Sequence, residues 1–227
     1  MLKNKGFFIS FEGGDGTGKS TQAKIFYKWI LENFDKKAVL TFEPGDSDFG
    51  REIRELVMHR KSPTQKDQIT AKTQALLFAS DRSYHIDNII LPALEQGKTV
   101  ITDRYFDSSV AYQGDVGGLD DKSIYNLNMF ASDGLIPDIT FLIDRDINKA
   151  LPQAKKTTGK KYDRFEDKNL AYHKQIRQKY LELANKKGSF AKRWCVIDGS
   201  GTIAEVNKKI IEAFLLKIKE IKSNNIV

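Results

Sequence analysis

The sequence predicts a three-layer α/β fold in which a parallel five-stranded sheet is covered by helices on both faces. Three observations lead to this expectation. Five short apolar runs are typical of buried strands, helical apolar patterns separate them, and the first run ends in a glycine-rich loop. Strands that alternate with helices form parallel sheets, and such sheets bind their ligands at the carboxyl ends of the strands.

The first strand and helix are predicted from the start of the chain. Phe7 to Phe11 is an aromatic-rich apolar run that ends at glycines, as a buried strand does. From Lys19 onwards, apolar residues recur every three or four positions, so a helix there has one face that can pack on a sheet. Ala38 to Phe42 predicts the second strand.

Two helical stretches follow. A turn at Pro44 precedes a helix around Ile53 to Val57, which we expect to end near Pro63. A longer helix is predicted from Ile69 to Leu94, and Pro92 should bend or interrupt its end.

Three more apolar runs complete the predicted sheet. They are Lys98–Thr102, Ile139–Ile143 and Trp194–Ile197. Asp103 and Arg104 come directly after the first of these runs. An acid and an arginine should therefore lie at the carboxyl end of that strand, beside the glycine-rich loop.

Composition and charge bound the class of the protein. With 227 residues, 40% of them apolar, we expect a single domain over residues 1–227. The single cysteine allows no intrachain disulfide, and no apolar run approaches the roughly 18 residues of a membrane span. The N-terminal run is too short for a signal peptide. These features lead us to expect a cytoplasmic protein without a membrane partner.

The net charge of +7 would suit nucleic acid, a membrane surface or a polyphosphate ligand equally well. Basic residues are densest from Lys155 to Lys187 and in the last helix, where no aromatic residues interleave as stacking platforms for bases. We interpret them as a solvated face and expect no nucleic-acid partner.

The glycine-rich loop carries the strongest functional signal. It matches the pattern G-x-x-x-x-G-K-[ST] between a predicted strand and a predicted helix, the context that this motif requires. Its backbone N–H groups can surround an anion, and the helix adds its positive dipole end. The residues expected to bind triphosphate are Gly13, Gly14, Asp15, Gly16, Thr17, Gly18, Lys19, Ser20 and Thr21.

Two loop residues have specific expected roles. Lys19 should reach the β- and γ-phosphates, and the Ser20 hydroxyl should bind Mg²⁺, a hard cation that also takes phosphate and water oxygens. A GTPase is disfavoured, because Asp115-Val-Gly-Gly lies far from the loop and Asn185-Lys-Lys-Gly lacks the acid that reads guanine.

Several segments, in family order and over nearly the whole chain, resemble the thymidylate kinases. They are the Glu43-Pro-Gly turn, Leu76–Arg82, Asp103–Gly114, Pro137–Asp144, Asp163–Glu166, Tyr180–Ala184 and Val196–Gly199. The resemblance implies a P-loop NTPase fold with a short lid at about 147–163. It also implies transfer of phosphate from ATP to dTMP for deoxynucleotide synthesis, and a homodimer.

The resemblance implies an acceptor site made of Glu43, Arg54, Phe78, Arg82, Asp103, Arg104, Tyr105, Ser109, Tyr112 and Gln113. Phe78 would stack on thymine, and Arg82, one helical turn on, would donate to a base carbonyl. Gln113 would read the thymine edge beside Ser109. Alternatively, Phe78 belongs to the core and Arg82 is exposed.

The sugar and phosphate side follows from the same resemblance. Tyr105 would crowd the 2′ position and reject ribose, the alternative being a buried tyrosine with a satisfied hydroxyl. Arg54 and Arg104 would hold the monophosphate bidentately. Asp15 would face the acceptor and the water shell of the metal.

Two further acids are Glu43 in the turn and Asp103 at the third strand. Each would bind water of the metal shell or orient an arginine; the alternative is that each only caps a turn. The residues expected to act in catalysis are Lys19, Arg104, Arg164 and Asp15.

The chain departs from the family in its catalytic cations. The phosphate loop holds no arginine, and the lid has lysines where relatives carry arginines, with Pro152 in its first helix. We therefore expect Arg164 to supply the missing cation, assisted by Lys160 and Lys161. The Glu43 turn also lacks the usual flanking residues, and the segment from Met58 to Ile69 has no chemical interpretation beyond a surface loop.

Two other functions stay open from the sequence. One is a related P-loop kinase for another pyrimidine monophosphate or a deoxynucleoside. The other is a non-catalytic nucleotide-binding module, which the presence of Lys19, Ser20, Arg82 and Arg104 disfavours.

Overall fold

The sheet lies at the centre of the protein. The computed structural model describes residues 6–59, 69–158, 168–186 and 192–224. Its strands are β1 Phe8–Glu12, β2 Val39–Phe42, β3 Val100–Asp103, β4 Ile139–Asp144 and β5 Trp194–Asp198. All pairs are parallel, in the order β2-β3-β1-β4-β5. The prediction of a five-stranded parallel sheet is confirmed.

Helices cover both faces of the sheet. They are α1 Lys19–Asn33, α2 Asp48–Arg54, α3 Ala71–His85, α4 Leu91–Glu95, α5 Phe106–Gln113, α6 Asp121–Ala131, α7 Ile147–Thr158, α8 Leu170–Asn185 and α9 Ile203–Asn224. Short π-helical turns, Glu55–His59 and Ile86–Ile90, follow α2 and α3. Pro92 lies in the first turn of α4, where its missing N–H is tolerated, and the chain stays helical to Glu95.

Successive strand residues point into two different hydrophobic cores. Phe8 of β1 packs with residues of α3, α5, α6 and α8 on one face, whereas Ile9 packs with α1 and α9 on the other. Both faces of β1 are therefore buried, as is usual in parallel sheets. Within the described ranges, no helix has the length and hydropathy needed to cross a lipid bilayer.

Helix α5 follows β3 and was not expected from the apolar pattern. Almost all of its residues are buried, including polar ones such as Asp107, Ser109 and Gln113. A helix that is enclosed on most sides has no apolar stripe, so periodicity could not reveal it. Its position matters, because it carries several of the predicted acceptor-site residues.

Candidate active site

A cavity of about 840 Å³ opens at the carboxyl edge of the sheet, between the glycine-rich loop, the turn after β2, α3 and α5. Its volume is that of a small-molecule site. The predicted residues that line it are Asp15, Lys19, Ser20, Glu43, Arg54, Phe78, Arg82, Asp103, Arg104, Tyr105, Ser109, Tyr112 and Gln113. The fold thus brings the donor and acceptor halves of the predicted site together.

The glycine-rich loop connects β1 to α1 and has a backbone that requires glycine. Gly13 and Gly18 have φ angles of 144° and 94°, in the region that side chains other than glycine rarely adopt. A Cβ on Gly13 would also lie 2.7 Å from the Ile143 carbonyl oxygen. Thr17 is buried, and its hydroxyl donates to the Gly14 carbonyl at 2.9 Å, which closes the loop on itself.

Lys19 and Ser20 begin α1 at the end of this loop. The Lys19 side chain is buried, and its Nζ lies 4.0 Å from Asp15 Oδ1. Burial, together with the neighbouring charge of Arg104, lowers the pKa of Lys19. Ser20 lines the cavity, and Thr21 follows on the same turn with an exposed side chain.

Arg104 connects the loop to α5 and α8. Its φ angle of 73° is unusual for a residue other than glycine, and its N–H donates to the Phe11 carbonyl at 2.9 Å. Nη2 donates to Asp15 Oδ1 at 2.6 Å, and Nη1 donates to the hydroxyls of Ser108 and Tyr180 at 3.0 and 3.2 Å. The guanidinium is therefore held on two sides.

Asp15 is the acid that faces Arg104 from the loop. Burial alone would raise the pKa of this carboxyl, but the positive charges of Arg104 and Lys19 outweigh it, and the pKa is lowered. The Tyr112 hydroxyl donates to its second oxygen at 3.1 Å. Asp15 is accordingly a charged carboxylate, with one hydrogen-bond donor on each oxygen, between the two halves of the cavity.

The acceptor half is built around Arg82 on α3. Arg82 is only 3% exposed, which rules out the alternative of an exposed side chain. Its Nη2 lies 2.7 Å from Glu43 Oε2, and Nη1 donates to the Ser109 hydroxyl at 3.2 Å and to the side-chain oxygen of Asn128. Phe78, one turn earlier, is half-buried and lines the cavity.

Glu43 orients residues of α3. Besides Arg82, its carboxylate contacts His85 Nδ1 at 3.0 Å, and the other ring nitrogen of His85 lies 2.6 Å from the Thr41 hydroxyl. Of the roles considered for Glu43, orienting an arginine is the one that this geometry matches. His85 is itself buried.

The two tyrosines of the site differ from each other in what their hydroxyls contact. Tyr105 is fully buried, and its hydroxyl donates to the Leu135 carbonyl at 3.2 Å. This is the alternative of a buried tyrosine with a satisfied hydroxyl. Tyr112 instead has its hydroxyl beside Asp15 and, at 3.3 Å, Arg104 Nη2. Its ring is the one that reaches the phosphate loop.

Three further predicted residues border the cavity. Arg54 donates to the Pro44 carbonyl at 2.9 Å and so holds the turn after β2. Gln113 is buried at the end of α5. Asp103 ends β3, and its buried Oδ1 has no hydrogen-bond partner among the described residues.

Reasoning from the sequence missed several residues that hold this site. Glu12 is fully buried next to Arg104's hydroxyl partners, and Ser108, Tyr180 and Asn128 all contact site arginines. Glu12 did leave a signal, because it is a charged residue directly after a predicted buried strand. Ser108 and Tyr180 lie in segments that carry the family resemblance, Asp103–Gly114 and Tyr180–Ala184, whereas nothing in the local sequence indicates Asn128.

The lid is described only in part. Helix α7 spans Ile147–Thr158, with Pro152 inside it, whereas Arg164, Lys160 and Lys161 lie outside the described residues, as does most of the Met58–Ile69 segment. At the base of the lid, Arg145 follows β4.

Comparison with known proteins identifies relatives over most of the chain. A family model described as thymidylate kinase matches residues 11–210. The thymidylate kinase of Leifsonia xyli subsp. xyli is 41% identical over 90% of this chain and 92% of the relative. That of Kosmotoga olearia is 37% identical over 94% and 98%. A crystal structure of thymidylate kinase from Ehrlichia chaffeensis has a TM-score of 0.71 at 30% identity, covering 93% of this chain and 99% of that one.

Proposed function

This chain belongs to the thymidylate kinase family, and we propose how its residues divide the work of phosphorylating dTMP. It is a nucleoside monophosphate kinase that transfers the γ-phosphoryl group of ATP to dTMP and forms dTDP. One observation carries the assignment of its site. A single cavity contains both the phosphate loop and the pocket of Phe78 and Arg82.

The phosphate loop and Lys19 would bind the donor. Loop N–H groups and the start of α1 attract the β- and γ-phosphates, and the buried Lys19 adds a cation at the same place. Phosphoryl transfer needs mainly positioning and neutralisation of the charge on the transferring oxygens. No covalent nucleophile is required in this assignment.

Residues at the start of α1 and at the carboxyl end of β3 fit a magnesium ion. Ser20 offers a hydroxyl at the cavity, and Asp103 offers a buried carboxylate oxygen that has no partner within the described ranges. Oxygen ligands of this kind suit Mg²⁺, and phosphate and water oxygens would complete its shell. When bound, the ion would neutralise phosphate charge; Ser20, Asp103 and Asp15 would hold it directly or through water.

Thymine would lie between Phe78 and Arg82. Arg82 uses its two terminal nitrogens on Glu43, Ser109 and Asn128, whereas its Nε–H has no acceptor among the described side chains and backbone. Nε is therefore a donor that remains for a base carbonyl, beside the second N–H of Nη2. The Phe78 ring offers a face for stacking, and Gln113 offers an amide to the base edge.

The sugar and the monophosphate would lie between α5 and the loop. We assign the rejection of ribose to Tyr112 rather than to Tyr105, because the Tyr112 hydroxyl reaches the loop and the Tyr105 hydroxyl is used elsewhere. Arg104 and Arg54 would hold the acceptor phosphate. Arg164 would supply the lid cation.

The same proposal includes three properties of the whole protein. Residues 1–227 would act as one domain, two copies would form a homodimer, and the protein would work in the cytoplasm without nucleic acid or membrane partners. They rest on the family and, for the partners, on the charge pattern of the sequence.

The test is an ADP-release assay with ATP and Mg²⁺ against a panel of acceptors. We expect dTMP to give the fastest release, ahead of dUMP, dCMP and UMP, with thymidine inactive. Faster release with thymidine or dCMP would favour the related kinases considered above. ADP release that no acceptor stimulates would contradict any kinase and favour a nucleotide-binding module.

A further inference from the structure

We propose that Glu12 is a positioning residue that fixes the guanidinium of Arg104 through the hydroxyls of Ser108 and Tyr180. The inference rests on the proposed function, because it gives Arg104 a role at the acceptor phosphate. It adds a residue that contacts neither substrate and acts only through Arg104.

Glu12 joins three elements of the fold at one buried point. It is the last residue of β1 and is fully buried. Its Oε1 accepts the Tyr105 backbone N–H at 2.8 Å, at the start of α5. Its Oε2 accepts the Ser108 hydroxyl at 2.7 Å and the Tyr180 hydroxyl of α8 at 3.0 Å.

The carboxylate sets the direction of the two hydroxyl protons. Each hydroxyl has one proton, and the two hydroxyl oxygens lie 2.8 Å apart. With an anionic acceptor at Oε2, the protons point to Glu12 or are shared between the hydroxyls, and the lone pairs stay free for Arg104 Nη1. An amide nitrogen in place of Oε2 would donate a hydrogen bond instead of accepting one. The lone pairs of the Ser108 and Tyr180 hydroxyls would then face residue 12, and their protons would face Arg104.

Arg104 is thus hydrogen-bonded at both terminal nitrogens of its guanidinium. Ser108 and Tyr180 accept from Nη1, while Asp15 accepts from Nη2 on the side of the phosphate loop. A phosphate-binding arginine contributes most when its fork is oriented before the substrate arrives. Glu12 supplies that orientation without lining the cavity.

A purely structural role would not need a charge at this position. Burial raises the pKa of Glu12 to about 7, the nearby Asp107 adds to the rise, and Arg104 opposes it. Because the pKa in the folded state is raised, the folded state favours the protonated form, and this stability is lost as the pH rises through about 7. Stability therefore favours neutral Glu12, whereas orientation of Arg104 needs the anion.

The main test is the isosteric variant Glu12→Gln. We expect kcat with dTMP to fall about 10- to 100-fold, since a hydrogen-bond network to a charged group is reversed. KM for ATP should change little, and the melting temperature at pH 8 should not fall. A kcat within about twofold of wild type, or a loss of activity explained by a lower melting temperature, would overturn the proposal.

The pH profile gives a second readout that a structural role would not move. Wild-type kcat should decline as the pH falls through about 7, and the variant should lack this step. The ionisable groups around Glu12 are Asp107 of α5, Tyr180 of α8, Lys19 of α1 and Arg104. An acid limb that persists unchanged in Glu12→Gln would contradict the proposal.

Two further variants separate this proposal from the proposed function. Asp35→Asn is the matched control, because Asp35 accepts the backbone N–H groups of Lys37 and Thr99 at the opposite end of the sheet, and kcat should not change. Arg104→Ala should be strongly impaired, and adding Glu12→Gln to it should cause little further loss. A nearly normal Arg104→Ala would refute the role of Arg104 itself. An impaired Arg104→Ala with a normal Glu12→Gln would refute only the role of Glu12.

Discussion

Glu12 is a fully buried carboxylate and Asp15, three positions later, is a partly buried one, and their pKa values move in opposite directions. The pKa of Asp15 is lowered because Arg104 and Lys19 together outweigh burial, whereas that of Glu12 rises to about 7 because burial outweighs Arg104. The two acids share one arginine. They differ in two ways: Lys19 forms an ion pair with Asp15, at 4.0 Å, and a second acid, Asp107, lies near Glu12.

The prediction for Lys19 tests the donor half of the site. Lys19→Ala should lower kcat/KM for ATP by roughly 10²- to 10³-fold, because a preorganised cation at the transferring phosphate is removed. Lys28→Ala, an exposed lysine of the same helix, is the control and should behave as wild type. Triphosphate binding and turnover that survive Lys19→Ala would refute the assignment of the loop.

The prediction for Phe78 tests the acceptor half. Phe78→Ala should raise KM for dTMP about tenfold, since stacking of a base on an aromatic ring is worth about 1–3 kcal/mol. KM for ATP should be unaffected. Lys72→Ala, exposed on the same helix, serves as control. Equal changes in both KM values would indicate a general disturbance of α3 instead of a lost stacking contact.

At the scale of elements, α5 organises the site. It begins directly after β3 and Arg104, and along its length it places Ser108 towards Glu12, Ser109 towards Arg82 and Tyr112 towards Asp15. Because most of its sides face other protein elements, its polar residues are buried with partners. The helix thereby connects the donor and acceptor halves of the cavity.

The prediction for the lid concerns Arg164, which we propose as its catalytic cation. Arg164→Ala should lower kcat far more than it raises either KM, because a lid cation acts mainly on the transition state. Lys160→Ala and Lys161→Ala should have smaller effects, since an ammonium lacks the fork that spans two phosphate oxygens. A near-normal rate in Arg164→Ala would transfer the catalytic role to the lysines.

At the scale of the whole molecule, two buried acids govern the response of stability to pH near neutrality. Burial raises the pKa of Asp81 to about 6, with Glu43 adding to the rise, and the pKa of Glu12 is about 7. Both folded-state values lie above the usual ones. The stability they contribute is therefore present in acid and is lost as the pH rises through 6 and 7.

We accordingly expect the free energy of unfolding, and with it the melting temperature, to decline between about pH 5.5 and pH 7, by about 1–3 kcal/mol, and to level off above pH 7. Differential scanning calorimetry in buffers of equal ionic strength measures this. Asp81→Asn should remove the part of the decline near pH 6. A melting temperature that rises over this range would show that other groups dominate.

The sequence by itself determined the strands, the phosphate loop and most of the residues around the cavity. These rest on local patterns: apolar runs, the spacing of glycines and a lysine, and the one-turn interval between Phe78 and Arg82. The family resemblance supplied the substrate, because its motifs recur in order along the chain. These patterns can be recognised without knowing which distant residues are in contact.

Only the tertiary structure decided which side chains form hydrogen bonds with one another. Glu12 and Tyr180 are separated by 168 positions, yet they share a hydrogen bond, and the hydroxyls of Tyr105 and Tyr112 bond to two different segments, at Leu135 and Asp15. The pKa of a buried acid likewise depends on burial and on charges from other elements. These are properties of packing between remote segments, and the spacing of residues along the chain does not contain them.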